Sequence, residues 1–317
     1  MEIQSHTIFL ESRQDFHGRL PPHHLGKLFV DLPLAVRGAV SMALRNRSQV
    51  QGRRPVWLKE SSDIRFAAHG GNGETSLTFE LPTLRSAARD LYAQEVMFEQ
   101  MRPEGTLTGL DLLARAIGDV AAGKADSDAF DHQLLKRLTR LGRFFKNGPF
   151  TEFRIVGSDA ARQQVTRVNP DICHQTEALY RRTPRPQRVR LVGQLDGIEA
   201  STQRFVLVLD GGERIVGIFP DDHAGQMQAL WNTRILVSGT AIYRPSGDLL
   251  RAEAEDVQSG AGVSALFSRL PTPGHAKLDA GRLHRRQGPR SGMAAIMGKW
   301  PGDETDVQIE DDLARIS

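Results

Sequence analysis

Cysteine is almost absent from this sequence, since Cys173 is the only one in 317 residues. A single cysteine excludes an intramolecular disulfide framework and any zinc site built from several thiolates. No run approaches the roughly 18 consecutive apolar residues that a membrane-spanning helix needs. The first residues, Met1 to His6, lack the basic stretch and apolar core of a secretory signal. We therefore expect a protein of a reducing compartment, the cytoplasm, with no membrane-spanning segment.

Complete motifs for catalysis, metal binding and phosphate binding are also missing. The ten histidines show neither His-x-His nor His-x-x-x-His spacing, and no Gly-x-x-x-x-Gly-Lys-Ser/Thr loop occurs. Asp221-Asp222-His223 could hold a divalent cation, but after Pro220 it is better explained as a helix cap. Cys173 and His174 are adjacent on a predicted helix, where side chains diverge by about 100°. We therefore predict a protein that is not an enzyme and has no metal and no cofactor, unless carboxylates from distant segments converge.

The charge balance gives little guide to a partner. A formal net charge of +3 and a pI near 9.2 produce too weak an overall field to require nucleic acid. Arginine greatly outnumbers lysine, which occurs seven times among 41 basic residues. We interpret this bias as the coding preference of a GC-rich bacterium.

Residues 1–182 carry a mixture of helical and strand patterns and are predicted to form an α+β domain. Glycines at 70, 71 and 73 join two short apolar runs, which is typical of a hairpin. Pro33 interrupts a helical pattern and predicts two short helices there. The expected elements are helices within 25–47, a hairpin of 64–67 with 76–81, helices 107–122 and 127–145 (capped by Asp126 or Ser127), strands 150–156 and 164–168, and a helix over 171–180.

Residues 188–258 are predicted to form a small five-stranded β-barrel of OB-like type. Asp210-Gly211-Gly212 is a strong hairpin signal between two Val-rich strands. The predicted element order is that of an OB fold: three strands, a helix over 221–231 and two further strands. A five-stranded SH3-like barrel has nearly the same strand count. The expected strands are 188–196, 204–209, 214–219, 235–243 and 249–257, with a bend at Gly239.

The outer face of this barrel carries the aliphatic residues Val206, Val208, Val216 and Ile218. Such a face favours packing against the N-terminal domain or a protein partner over the stacking of bases. Arginines at its edges nevertheless allow nucleic-acid binding. The basic segment from Arg53 to Lys59 could also contact a phosphate or a base, although a solvated loop with Trp57 packed into the core explains it better. The candidate nucleic-acid-binding residues are Arg53, Arg54, Arg190, Arg204 and Arg214.

The composition changes after Gln258. Residues 259–291 are rich in glycine, proline and arginine and are predicted to be a flexible basic linker. Residues 292–317 are again richer in apolar side chains. A helix is predicted there, with acidic residues in its first turn and an apolar face formed by Ile309, Leu313 and Ile316. So short a helix is marginal alone in water, so we expect this tail to dock on a partner or to fold back on its own chain.

The block Gly298-Lys299-Trp300-Pro301-Gly302-Asp303-Glu304-Thr305-Asp306 resembles C-terminal segments of bacterial antitoxin-like proteins that partner small toxin nucleases. The resemblance covers less than a tenth of the chain, and typical antitoxins are much shorter. It implies a non-enzymatic protein whose tail lies in a groove of the partner. The alternative is a nucleic-acid-binding OB-fold protein. The expected partner-binding residues are Ile296, Trp300, Asp303, Glu304, Asp306, Ile309, Leu313 and Ile316.

Overall fold

A computed structural model of the chain describes residues 1–17, 19–49, 54–71, 75–93, 102–157 and 165–274. Contacts divide the chain into two units, Met1–Pro273 and Gly274–Ser317, and the first of them is compact. The first unit is mixed α+β and contains two five-stranded sheets, in agreement with the predicted class. The predicted tail lies outside the described residues.

The first sheet is antiparallel and is centred on the N-terminal strand. β1 pairs with β3 on one side and β4 on the other, and the sheet order is β2-β3-β1-β4-β5. β1 was not expected from the sequence, although His6, Ile8 and Leu10 alternate as buried residues along it. The strands are β1 (Ile3–Ser12), β2 (Arg65–Gly70), β3 (Thr75–Pro82), β4 (Phe150–Val156) and β5 (Val165–Val168).

Helices pack against this sheet and form the larger hydrophobic core. The expected hairpin, helix 107–122 and the helix entered through Pro170 are present within a few residues of their predicted bounds. The helices are α1 (Pro22–Arg45), α2 (Val56–Ser61), α3 (Leu84–Ala87), α4 (Arg89–Ala93), α5 (Gly109–Ala121), α6 (His132–Leu141) and α7 (Pro170–Arg182).

The prediction of two short helices around Pro33 is wrong, because α1 is one helix of 24 residues with Pro33 inside it. A proline removes one backbone hydrogen bond from a helix interior. Here burial outweighs that loss, since Leu28, Leu32, Val36 and Val40 on one face are fully buried.

The predicted start of α6 is also wrong. The helix is capped by Asp131, not by Asp126 or Ser127, and the Asp131 carboxylate accepts a hydrogen bond from the backbone N–H of Leu134 at 2.9 Å. Ser127 instead donates to Asp119 at 2.6 Å and stabilises the loop before the helix.

The second sheet closes on itself in the order β10-β8-β7-β6-β9, since β9 pairs with both β6 and β10. Each of its strands was predicted within a few residues. Leu191, Phe205, Leu207 and Ile215 point inward and form a second core. The elements are β6 (Gln187–Glu199), β7 (Arg204–Val208), β8 (Arg214–Ile218), α8 (Ala224–Ala229), β9 (Arg234–Tyr243) and β10 (Leu249–Ser259).

The barrel packs directly against the N-terminal half, residues 1–182. Leu250 of β10 belongs to the larger core, and Arg204 donates to the carbonyl of Ala43 in α1 at 3.3 Å. Val206 and Ile218 on the aliphatic outer face are each 5% exposed. At the start of the predicted linker, Ser268 is buried and its hydroxyl accepts from the N–H of Asp210 at 2.7 Å.

Candidate functional site

A cleft of about 940 Å³ lies between the N-terminal half and the barrel. One wall comes from the C-terminal end of α1, the start of α2 and the start of α6. The other wall comes from β8, β9 and β10 with the loop between β6 and β7. We call this site the arginine cleft, because its lining includes Arg45, Arg47, Arg54 and Arg251.

The deepest polar contact of the cleft joins its two walls. Arg251 of β10 donates to the Asp131 carboxylate at 3.0 Å, and the side chains are 4% and 2% exposed. Ser48 donates to the same carboxylate through its N–H at 3.1 Å and its hydroxyl at 2.5 Å. Burial alone would raise the pKa of Asp131, but Arg251 and the hydrogen bonds from Ser48 and Leu134 bring it below its usual value. The carboxylate therefore stays ionised and clamps the two halves together.

Glu253 extends this network toward the opening of the cleft. Its carboxylate accepts from Nε of Arg251 at 2.9 Å and lies 3.5 Å from Arg47. Nη1 of Arg251 is buried and has no hydrogen-bond partner among the described residues. The carboxylates of Asp131 and Glu253 are thus paired with Arg251 and Arg47, which makes this part of the cleft close to neutral.

Trp57 gives the cleft an aromatic surface. The guanidinium of Arg45 lies 5.8 Å from the centre of the Trp57 ring and donates to Oε1 of Gln203 at 2.5 Å. Gln203 belongs to the loop after β6 and has a positive φ of 59°. Arg45 therefore connects the aromatic ring of one wall with the barrel loop of the other.

A second group of arginines adjoins the cleft on the N-terminal half. Arg37 of α1 interacts electrostatically with Arg54, and Arg137 of α6 interacts with both of them and with Arg140 of the same helix. Burial first, and then Arg54, lowers the pKa of Arg37. Burial also lowers the pKa of Arg137, with further contributions from Arg37, Arg140 and Arg54, against an opposing effect of Asp131. We call these four residues the arginine cluster.

No carboxylate of the described residues forms an ion pair with a member of the arginine cluster. Asp131 is the nearby acid, but its oxygens are occupied by Ser48, Leu134 and Arg251. Arg137 donates to the carbonyls of Leu34 and Ser48 at 3.4 and 3.1 Å, which fixes its guanidinium without neutralising it. The cluster is consequently a concentrated positive charge.

The arginines predicted from the sequence are distributed over different surfaces. Arg54 lines the cleft, Arg190 is exposed on β6, and Arg214 pairs with Asp196 at 2.5 Å. Arg204 is 6% exposed against α1, so its side chain does not face solvent. The remaining candidates, Arg53 and the tail residues Ile296, Trp300, Asp303, Glu304, Asp306, Ile309, Leu313 and Ile316, lie outside the described residues.

Asp131, Arg251, Arg37 and Arg137 were not predicted to belong to a site. Asp131 and Arg251 are 120 positions apart in the sequence, Asp131 as the N-cap of α6 and Arg251 within β10. The one local signal near them was the basic segment around Trp57. Residues 56–59 of that segment lie in α2, and Arg54 and Trp57 line the cleft.

One buried trio has the residue types of a hydrolase site. The Thr108 hydroxyl lies 2.9 Å from Nε2 of His6, and Nδ1 of His6 lies 3.9 Å from Asp111. Thr108 and His6 are 0% and 1% exposed, so no substrate reaches them. Thr108 and Asp111 also form the capping box of α5. The trio therefore attaches β1 to α5.

Other chemistry has little support within the parts of the chain that the structure describes. No group of three or more His, Cys, Asp or Glu side chains could hold a metal ion there. Burial raises the pKa of Cys173 to about 11, which leaves its thiol protonated at neutral pH.

No helix in the described ranges combines the length and apolar character needed to cross a membrane. Comparisons with protein-family models, curated proteins and solved structures find no match to this chain.

Proposed function

We propose that this is a non-enzymatic binding protein that docks a protein partner through residues 292–317. The carrying observation is that Met1–Pro273 is a compact unit with two hydrophobic cores built from its own side chains. We infer from this that the acidic, Trp-containing segment that follows is available to a partner. That segment holds the most distinctive sequence block of the chain, from Gly298 to Asp306.

The chemistry of the segment fits a groove with a basic rim. Trp300 supplies the large aromatic anchor that dominates many interfaces, and Ile309, Leu313 and Ile316 recur at helical spacing. Asp303, Glu304 and Asp306 precede them and would meet the cations of a partner. By its resemblance to antitoxin-like segments, we propose a small toxin nuclease as the partner class, in the cytoplasm of a bacterium.

We also propose that the barrel is of OB type. Three features support this assignment: the closed order β6-β7-β8-β10-β9, the parallel pairing of β8 with β10, and the position of α8 between β8 and β9. In this arrangement the loop between β6 and β7 contacts α1 through Gln203, and the loop between β9 and β10 contacts the N-terminal half through Arg244 and Asp128. The barrel then serves as a structural part of the unit Met1–Pro273.

Nucleic-acid binding along the barrel edge is the weaker alternative. Its candidate Arg204 is buried against Ala43, and its candidate Arg214 is paired with Asp196. Exposed ion pairs of this kind are easily broken, but a buried arginine cannot reach a phosphate without separation of the two halves.

Affinity capture from the native host tests the proposed docking. The bait is the full chain, compared with a chain that ends at Ser291 and with Trp300→Ala, all in nuclease-treated lysate. We expect one protein, identified as a nuclease-like toxin by mass spectrometry, on the full chain alone. The matched control is Trp231→Ala. Trp231 lies in Met1–Pro273 and is 45% exposed, so its removal should not change capture.

Equal capture by the chain that ends at Ser291 would contradict docking through the tail. Capture by the full chain from a parallel untreated lysate, but not from the nuclease-treated one, would show that nucleic acid, and not a protein interface, holds the material.

A further inference from the structure

We propose that the arginine cluster binds the phosphate backbone of a single-stranded nucleic acid and that the adjoining arginine cleft receives its bases. This site is separate from the tail and from the barrel-edge arginines. It is formed by α1, α6 and Arg54, which lies two residues before α2, together with the cleft that they share with the barrel.

The position of Arg137 follows from how closely α1 and α6 pack. A Cβ atom at Gly38 would lie 2.8 Å from Nη1 of Arg137 and 2.9 Å from Cδ1 of Leu134. Glycine at position 38 therefore lets the Arg137 side chain cross α1 and come near Arg37. Its guanidinium is then held by the carbonyls of Leu34 and Ser48.

Arg54 connects the cluster to the cleft. It interacts electrostatically with Arg37 and Arg137, and it also lines the cleft with Arg45 and Arg47. The result is a basic path from the exposed face of α6 into a concave site. Since no carboxylate of the described residues pairs with the cluster, bringing these cations together is unfavourable until an anion neutralises them.

Phosphate is the anion that this arrangement suits best. Each guanidinium presents a planar fork of donors that matches phosphate oxygens, and arginine stacks on planar groups. The cleft at the end of the path adds Trp57 and the amide side chains of Gln49 and Gln133, which can contact the face and edges of an unpaired base. A volume of about 940 Å³ is near the upper end of the roughly 300–1,000 Å³ typical of ligand sites, and a duplex is too wide to enter it.

Fluorescence anisotropy on the full chain tests the proposal, with a labelled oligouridylate of about 12 nucleotides, a length within OB-type site sizes. The variant is Arg54→Glu with Arg140→Glu, since both side chains are exposed and tolerate substitution. The matched control is Arg190→Glu with Arg214→Glu, which makes the same change of net charge on the barrel. The melting temperature of each variant is measured first. The test is then repeated with Arg140→Glu alone, which leaves Arg54 in the lining of the cleft.

We expect wild-type binding that weakens steeply with salt. The cluster variant should raise the Kd on the order of 20-fold at about 0.1 M salt, because each lost phosphate contact removes about 0.7 of a released counterion. The barrel control should stay within about twofold. A duplex of equal length and a polyglutamate of equal charge should compete poorly.

Four results would overturn the proposal. These are no binding by the wild type, an equal or larger loss in the barrel control, duplex binding as tight as single-strand binding, and displacement by polyglutamate, which would indicate an acidic protein as the ligand. None of them bears on the tail, because the capture experiment uses nuclease-treated lysate.

Discussion

Arg251 of the barrel and Asp131 at the start of α6 form a buried ion pair, with 3.0 Å between Nη2 and Oδ2 and side chains 4% and 2% exposed. The pair joins the barrel to α6 of the N-terminal half, and each half has its own core. It also lines the arginine cleft, so the same contact contributes to the stability of Met1–Pro273 and to the shape of the site.

Removing Asp131 should be strongly destabilising. Asp131→Ala leaves Arg251 buried with only Glu253 as an ionic partner, and it removes the cap of α6. We expect a loss of about 3–5 kcal/mol in the free energy of unfolding, measured in urea at neutral pH. Asp128→Ala is the control, because Asp128 is 74% exposed in its pair with Arg244 and should contribute at most about 1 kcal/mol. Similar losses in both variants would refute the role assigned to the clamp.

Stability should also fall on mild acidification through His6. Burial lowers the pKa of His6 from the model-peptide value of 6.5, and Asp111 opposes this only in part. The unfolded chain then binds more protons than the folded chain, so this stabilisation is present above pH 6.5 and is lost as the pH falls from there toward the folded pKa. We expect the dependence of unfolding free energy on pH to be shallower in His6→Gln than in the wild type.

His174→Gln is the control for that experiment, since His174 is exposed on α7. An unchanged slope in His6→Gln, or an equal change in both variants, would show that His6 does not carry the effect.

Cys173 should react slowly with alkylating agents. Its pKa is raised from 9.0 to about 11, which reduces the thiolate fraction at pH 8 by about 100-fold relative to the unfolded chain. The rate of carboxamidomethylation by iodoacetamide, followed by mass spectrometry in buffer and in urea, measures this difference. Equal rates in the two solvents would mean that the thiol is accessible and unperturbed in the folded protein.

Gly239 should not accept a side chain. A Cβ atom there would lie 2.0 Å from the Glu253 carbonyl oxygen on the neighbouring strand, where the register shifts between Ala254 and Asp256. Gly239→Ala should therefore reduce stability by about 2–3 kcal/mol in thermal or urea unfolding. Gly225→Ala in α8 is the control, because no atom lies within 4 Å of its added Cβ and alanine favours helix by about 0.5–1 kcal/mol.

The barrel was the most predictable part of the fold. Its strands are joined by local signals such as Asp210-Gly211-Gly212, and its helix and hairpins involve residues close in sequence. β1 was missed because its partners are far away, with Ile8 beside both Leu77 and Ile155. Pro33 misled the prediction of α1, since the burial that compensates for it comes from tertiary packing.

Of the candidate site, the sequence predicted only Arg54, and it placed the nearby Trp57 in the core, against which Trp57 does pack. The other determinants come together through packing. Arg137 reaches Arg37 because Gly38 allows α1 and α6 to approach, and Arg251 reaches Asp131 because the barrel docks there. Neither contact can be inferred from the spacing of these residues along the sequence.

The most direct test of the account is a calorimetric titration of the captured and purified partner with the full chain, the chain that ends at Ser291, and Trp300→Ala. We predict binding by the full chain, no detectable binding by the shortened chain, and a Kd raised about 30-fold by Trp300→Ala, as for a hot-spot residue of about 2 kcal/mol. The melting temperature of Met1–Pro273 should not change among the three. Equal affinity of the full and shortened chains would contradict the central claim that residues 292–317 dock the partner.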